Sequence, residues 1–315
     1  MNRVSDRTLL GRTGLTIGTL GLGCAPLGNL YEPVSEADAA GTVRAALDGG
    51  TRLFDTAPRY GNGVSERRLG HALAEVPRSR VAVATKVGYR SAAGDPSRME
   101  PDFSYDGTMR SLEESLTRLG LDRVDIAHVH DPDDHEQEAL AGAFRALADL
   151  REQGVVAAIG AGMNQSEMLE RIVARVDVDC VLLAGRYTLL DQGALSGLLP
   201  SCEARGVAVI LGGVYNSGLL ADPRPDARYD YRTVSPDRLA AALAVQEICA
   251  RHGVPMKAAA LRFALGHPAV AALVVGARTA AEVRENQAML DVAVPAEVWS
   301  ELRAAGLLEA AVPTP

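Results

Sequence analysis

Cysteine, aromatic residues and positive charge are all scarce in these 315 residues. Only four cysteines occur, Cys24, Cys180, Cys202 and Cys249, far apart and without a Cys-x-x-Cys pair. That spacing argues against a disulfide framework or a zinc site and reads as reduced thiols of a cytoplasmic protein, with no metal expected. Aromatics make up 4% of the chain, and 32 Lys and Arg against 40 Asp and Glu leave a formal net charge of -8. With no basic block and no interleaved aromatic stripe, neither nucleic acid nor an anionic membrane surface is an expected partner. No apolar run approaches the roughly 20 residues that span a bilayer. Met1 to Gly11 lacks the apolar core of a signal peptide. There is no low-complexity tract and no linker, so a single domain over residues 1–315 is expected. Nothing in the sequence bears on oligomeric state.

What is present is alternation. Short aliphatic runs occur at Thr19-Gly23, Leu53-Asp55, Val81-Lys86, Val124-His130, Val155-Gly160, Cys180-Ala184, Val207-Leu211 and Ala272-Gly276. Amphipathic stretches such as Glu36-Leu47, Tyr105-Leu119 and Ala139-Glu152 separate them. Continuously apolar strands divided by helices suit a parallel sheet covered by helices. Eight such units without a break predict an α/β fold, a (β/α)8 TIM barrel, with a doubly wound open sheet as the alternative. Arg7-Ile17, around Gly11-Arg12-Thr13-Gly14, reads as a hairpin capping the barrel bottom. Pro295 to Gly306 reads as a C-terminal helical extension. Asn216 to Pro236, rich in Pro, Asp, Arg and Tyr, follows the seventh strand and reads as a substrate lid.

Ionisable residues interrupt the apolar strands at their C-terminal ends, the face where barrel active sites form. Asp55 ends the second run, Lys86 the third and His130 the fourth, and Tyr60 follows Asp55 across a short loop carrying Pro58 and Gly61. A nearby ammonium stabilises a phenolate, a carboxylate holds that ammonium, and an imidazole orients a substrate oxygen. Such a group exchanges a proton at an oxygen whose carbon exchanges hydride with a cofactor. The plainer alternative is an Asp55–Lys86 ion pair at a barrel mouth with His130 capping a strand. His128 shares strand parity with His130, so it points into the barrel as a packed core histidine or as a residue tuning His130.

Phe54-Asp55-Thr56-Ala57-Pro58-Arg59-Tyr60-Gly61, with Ser65-Glu66 and Leu69-Gly70, resembles the signature of the aldo-keto reductase family. Ala84-Thr85-Lys86-Val87-Gly88, Asp125 through His130, and Gly276 to Asn286 resemble its later motifs. The resemblance covers essentially the whole chain. It implies an NAD(P)-dependent oxidoreductase acting on CH–OH, with Tyr60 as general acid/base, Asp55 and Lys86 as its electrostatic partners, and His130 orienting the substrate. Cys24, Asn164, Gly212, Gly213, Gly276, Arg278, Glu282 and Asn286 fall on its cofactor-binding positions.

The chain also departs from the commoner family pattern. Members that favour NADP place a basic residue and an arginine where this sequence has Gly276 and Glu282. A carboxylate there repels a 2′-phosphate and suits a 2′-hydroxyl, so NAD is expected, with NADP the alternative and Arg278 the residue that favours it. A Ser-Asn pair after the fifth strand is replaced by Gly160-Ala161-Gly162-Met163-Asn164, a ring-stacking aromatic by Gly212, and a glutamine by Ala184. These departures resemble the branch that oxidises cyclic hemiacetals of aldoses (L-fucose, D-arabinose or L-galactose type) to lactones, or acts on pyridoxal. Tyr31, Arg59, His135, Arg186 and Asn216 lie on predicted mouth loops as candidate contacts to a small sugar. An NADPH-dependent aldehyde or ketone reductase and a non-catalytic cofactor-sensing subunit are the competing readings.

Overall fold

The computed structural model describes residues 4, 6–30, 32–92, 95–230 and 232–315. Eight parallel strands, β1 (Leu20–Gly23), β2 (Leu53–Asp55), β3 (Ala82–Val87), β4 (Ile126–His130), β5 (Ala158–Met163), β6 (Cys180–Ala184), β7 (Ala208–Gly212) and β8 (Val270–Gly276), follow one another around a closed barrel. β8 pairs back onto β1, Leu273 opposite Leu20, which removes the open-sheet alternative. The principal helices are α1 (Glu36–Asp48), α2 (Val64–Leu73), α3 (Tyr105–Leu119), α4 (Phe144–Glu152), α5 (Ser166–Arg175), α6 (Leu198–Arg205), α7 (Pro236–Arg251), α8 (Met256–Ala264), α9 (Ala280–Met289) and α10 (Ala296–Ala304). Serine or threonine caps start four of them: Ser35, Ser104, Ser235 and Thr279 each accept a backbone N–H from the first turn.

Strand side chains alternate between two buried environments, which is why the strands lack a polar face. One set, including Val83, Val129, Ile159, Val181, Leu183 and Val209, packs under the helices. The other set fills the barrel: Leu53, Ala82, Ala84, Ile126, Ala158, Cys180, Leu182, Ala208, Ile210, Ala272 and Val274. The N-terminal hairpin, Arg7–Leu9 against Thr16–Gly18, adds fully buried Leu10 and Ile17 to that inner cluster and so plugs the bottom. Each fully buried large side chain of this kind contributes about 1.5–3 kcal/mol.

Three local features differ from the sequence expectation. The fifth strand lies about three residues later than Val155-Gly160, and Gly160 and Gly162 sit inside it, opposite His128 and His130. Gly160 is demanded by space rather than by a turn: a Cβ on it would stand 1.8 Å from the Cys180 carbonyl oxygen. An antiparallel pair, Tyr89–Ala92 with Asp95–Pro101, intervenes between β3 and α3 and has no apolar period to announce it. The predicted lid carries a two-residue ladder, Arg228–Tyr229 with Arg232–Thr233.

Candidate active site

Along the inward-facing positions, polar side chains enter only toward the C-terminal ends of β2, β3 and β4, as Asp55, Lys86, His128 and His130. Lys86 is 1% exposed and Asp55 3%. An ammonium has three protons, and here each has an acceptor. Nζ donates to Asp55 Oδ1 and Oδ2 at 2.9 and 2.7 Å and to the Thr56 carbonyl at 2.9 Å, and it hydrogen-bonds Tyr60. It also lies 4.8 Å from the centre of the Tyr60 ring. Burial works against the ammonium, but the charges and hydrogen bonds of Asp55 and Tyr60 outweigh it and hold Lys86 above the ordinary lysine range. Burial pushes the Asp55 carboxyl up while Lys86 pulls it back.

Tyr60 is set by its backbone. Its N–H donates to Ala57 O at 3.1 Å, closing a turn after β2, and its carbonyl accepts from Ser65 N at 3.2 Å at the start of α2. Gly28 lies flat on this turn: a Cβ there would meet the Tyr60 carbonyl carbon at 2.5 Å. Beneath it, Ser65 Oγ donates to Cys24 O at 2.7 Å and contacts Thr56 Oγ1 at 2.9 Å. Fully buried Glu66 accepts from Thr85 Oγ1 at 2.7 Å, beside Lys86, and pairs with Arg118 of α3 at 2.6 Å. These motif residues, given no role from sequence, hold the turn and the lysine strand in register.

His130 lies edge-on to Tyr60, ring centres 5.8 Å apart. Burial first, then the positive charges of Lys86 and Arg59, push its pKa well below the usual histidine value, so the ring is neutral. Its Nδ1 is buried without a partner among the described residues. That favours the tautomer with the proton on Nε2, since an orphaned N–H donor is the costlier choice. Below it, His128 Nε2 lies 3.5 Å from Cys180 Sγ, and burial together with the Lys86 charge takes His128 down to about 3. Of the two readings of His128, the packed one has this thiol contact behind it.

The other half of the mouth is almost bare. At the same inward positions β5, β6, β7 and β8 present Gly162, Ala184, Gly212 and Gly276. A Cβ on Gly162 would stand 3.5 Å from Lys86 Cε, and one on Gly212 would sit 3.5 Å from Leu182 and 3.7 Å from Ala184. A flat ring fits such a cradle opposite the polar strands. Gly213 turns the chain at φ +62°, and its Cβ would press on Gly185 N at 3.1 Å. Half-buried Asn164 follows β5. Beyond β8, the Arg278 N–H donates to Glu282 Oε2 at 2.8 Å, while its guanidinium reaches Glu282 Oε1 at 3.2 Å and Glu32. Buried Asn286 accepts from Tyr215 O–H at 3.2 Å through Oδ1. The Cys24 thiol is fully buried, and burial pushes its pKa up.

The mouth-loop residues divide. Arg59 joins the site, pairing with Asp131 Oδ2 at 2.9 Å, and its guanidinium lies 4.4 Å over the Tyr89 ring. Asp131 and Tyr89 were missed from sequence, although Asp131 directly follows β4 and Tyr89 stands just past β3, after Gly88. Arg186 is drawn instead into a two-pronged pair with Asp230 at 2.9 and 2.7 Å, latching the lid segment to the turn after β6. Buried Asn216 donates to Gly185 O at 3.3 Å in that same turn. His135 contacts Glu138 at 3.2 Å and packs on Phe103. Tyr31 lies outside the described residues. Among the described residues no cluster of His, Cys, Asp and Glu is placed to hold a metal ion, and no helix is long and apolar enough to cross a membrane.

Comparison with known proteins extends over the whole barrel. Residues 19–306 match the sequence model of the Aldo/keto reductase family. A pyridoxal 4-dehydrogenase from Microbacterium luteolum is 39% identical, covering 97% of this chain and 99% of that protein. A D-threo-aldose 1-dehydrogenase from a Pseudomonas species is 40% identical, covering 96% of this chain and 97% of that protein. Among solved structures, an aldo-keto reductase from Bacillus halodurans in its holo form matches with a TM-score of 0.80 at 25% identity, covering 98% of each chain.

Proposed function

The chain belongs to the aldo/keto reductase family and is an oxidoreductase with a nicotinamide cofactor, and from that premise we propose that it oxidises the cyclic hemiacetal of an aldose to its lactone with NAD. The carrying observation is Lys86, which directs its protons to Asp55, Thr56 O and Tyr60 inside the mouth of the barrel.

In this reading Tyr60 removes the proton of the anomeric hydroxyl. The Tyr60–Lys86 interaction is reciprocal: a phenolate at Tyr60 raises the lysine pKa, and the ammonium stabilises the phenolate to the same extent. Asp55 keeps that ammonium in place, and burial of the pair keeps water from weakening the field at the reacting oxygen. Neutral His130 donates from Nε2 to the same oxygen and sets its direction. When bound, the nicotinamide supplies the hydride acceptor. Because the tyrosine must give up its proton to act as base, oxidation accelerates toward alkaline pH.

The cofactor-holding residues in this reading are Cys24, Asn164, Gly212, Gly213, Gly276, Arg278, Glu282 and Asn286. A preference for NAD is supported by two details. Arg278, the cation nearest to a 2′-phosphate in this scheme, is already held by Glu282 and Glu32. Gly276 carries no basic side chain, and a Cβ there would stand 3.0 Å from Pro26 Cγ, so any side chain would require Pro26 to shift. Pyridoxal is the second reading, favoured by the 39% identical relative named for it. A panel of L-fucose, D-arabinose, L-galactose and pyridoxal with NAD and NADP, followed by NADH absorbance and lactone detection, tests the proposal. Turnover of pyridoxal alone moves it to the second reading, and a strong NADP preference sinks the cofactor assignment.

A further inference from the structure

Resting on that reading, the geometry at the end of β4 points to a hydroxyl-reading clamp: we infer that Asp131 and Arg59 bind the hydroxyl group on the carbon next to the one oxidised. Asp131 follows His130 directly and holds a backbone φ of +41°, a region that a residue with a side chain adopts at a cost of about 1–3 kcal/mol. Glycine would sit there freely. The strained turn is tied down on both sides, by Asp131 N–H to Gly162 O at 3.1 Å and by Tyr89 O–H to Asp131 O at 3.2 Å. Its result is a carboxylate aimed back over the mouth, with Oδ2 3.6 Å from His130 Nε2.

His130 Nε2 is the atom assigned to the reacting oxygen. Neighbouring hydroxyl oxygens in a gauche arrangement lie about a hydrogen-bond length apart. A carboxylate beside Nε2 therefore stands where it accepts from the hydroxyl adjacent to the reacting one. Arg59 supplies the complementary donors: its guanidinium is fixed by Asp131 on one edge and by the face of Tyr89, leaving other N–H groups to donate to the oxygen of that same hydroxyl. The Arg59 and Asp131 side chains remain 42% and 31% exposed, so both are open to a ligand. A carboxylate and an arginine side by side match the alternating donors and acceptors of a polyol. An aromatic aldehyde or its hemiacetal carries no hydroxyl on the adjoining carbon. The substrate class is thus an α-hydroxy hemiacetal, an aldose with its 2-hydroxyl present.

The test compares D-arabinose with its 2-deoxy analogue, in the wild type and in Asp131→Gly and Asp131→Asn. Glycine suits the φ at this position, so Asp131→Gly removes the side chain without backbone strain. A charged hydrogen bond to the 2-hydroxyl gives the wild type a kcat/KM preference for D-arabinose of about 10- to 100-fold. That preference collapses to within about threefold in Asp131→Gly and falls part-way in Asp131→Asn. A purely structural role would slow both sugars equally and leave the ratio intact, which would overturn the clamp. A wild type indifferent to the 2-hydroxyl overturns it too. Oxidation of D-arabinose with an unmoved ratio refutes the clamp alone, whereas no turnover of any aldose removes the proposed function and the clamp together.

Discussion

Replacing Lys86 by methionine separates what its charge does for the fold from what it does for the reaction. The substitution removes the cation from a site where Asp55 is 3% exposed and both carboxylate oxygens accept from Nζ. Removing one partner of a buried ion pair costs about 3–5 kcal/mol, because the remaining charge stays desolvated. Burial already pushes Asp55 upward, so in Lys86→Met the carboxyl takes up a proton more readily, and the loss in stability shrinks as pH falls. A double variant, Asp55→Asn with Lys86→Met, removes the stranded charge and recovers at least half of that loss in urea unfolding. Activity follows a different rule. Without the ammonium the Tyr60 phenolate loses its stabilisation, and the rate of hemiacetal oxidation drops by about 10²- to 10⁴-fold in both variants. A Lys86→Met protein within about 0.5 kcal/mol of wild-type stability, or a double variant that regains activity along with stability, would refute the argument.

Three further outcomes follow from the same geometry. His128 titrates near pH 3 in the fold against 6.5 ordinarily, so the unfolded chain takes the proton first as pH falls. Its contribution is complete above about pH 6.5 and is lost toward about pH 3, by up to about 5 kcal/mol; urea midpoints across that window should fall less steeply in His128→Asn, and equal slopes would exclude His128 as the source. Combining Glu32→Ala with Glu282→Gln releases Arg278 and raises kcat/KM for NADP relative to NAD by about tenfold or more; an unchanged ratio means that Arg278 does not face the 2′ position. Gly28→Ala places a Cβ against the Tyr60 carbonyl and lowers kcat by about 10²-fold through misplacement of the phenol, and wild-type kcat in that variant would show that the turn yields without consequence.

The barrel was legible because burial on both strand faces leaves long aliphatic runs, and each run ends where its strand meets the mouth. β5 was misplaced for a related reason. Val155 and Val156 read as strand but belong to the turn before it, while Gly160 read as the end of the strand and Gly162 as loop though both lie inside it, where Cys180 leaves no space for a Cβ on Gly160. Glycine weakens a strand in isolation, and only the packed neighbours reveal why it is needed. The four polar residues at the mouth stood out as interruptions of apolar strands. Asp131 did not, because its role depends on a positive φ that no spacing announces. The antiparallel pair from Tyr89 to Pro101 is polar throughout most of its length and gave no period to read. Arg186 looked available on a mouth loop, but its partner Asp230 lies 44 residues away in sequence.

The central claim is that Tyr60 moves the proton, and Tyr60→Phe tests it most directly. Removing one hydroxyl should lower kcat/KM for hemiacetal oxidation by about 10²- to 10⁴-fold, with NADH binding measured by fluorescence titration unchanged within about threefold. A Tyr60→Phe enzyme that retains more than about a tenth of wild-type activity would contradict the account and place the proton transfer on another residue.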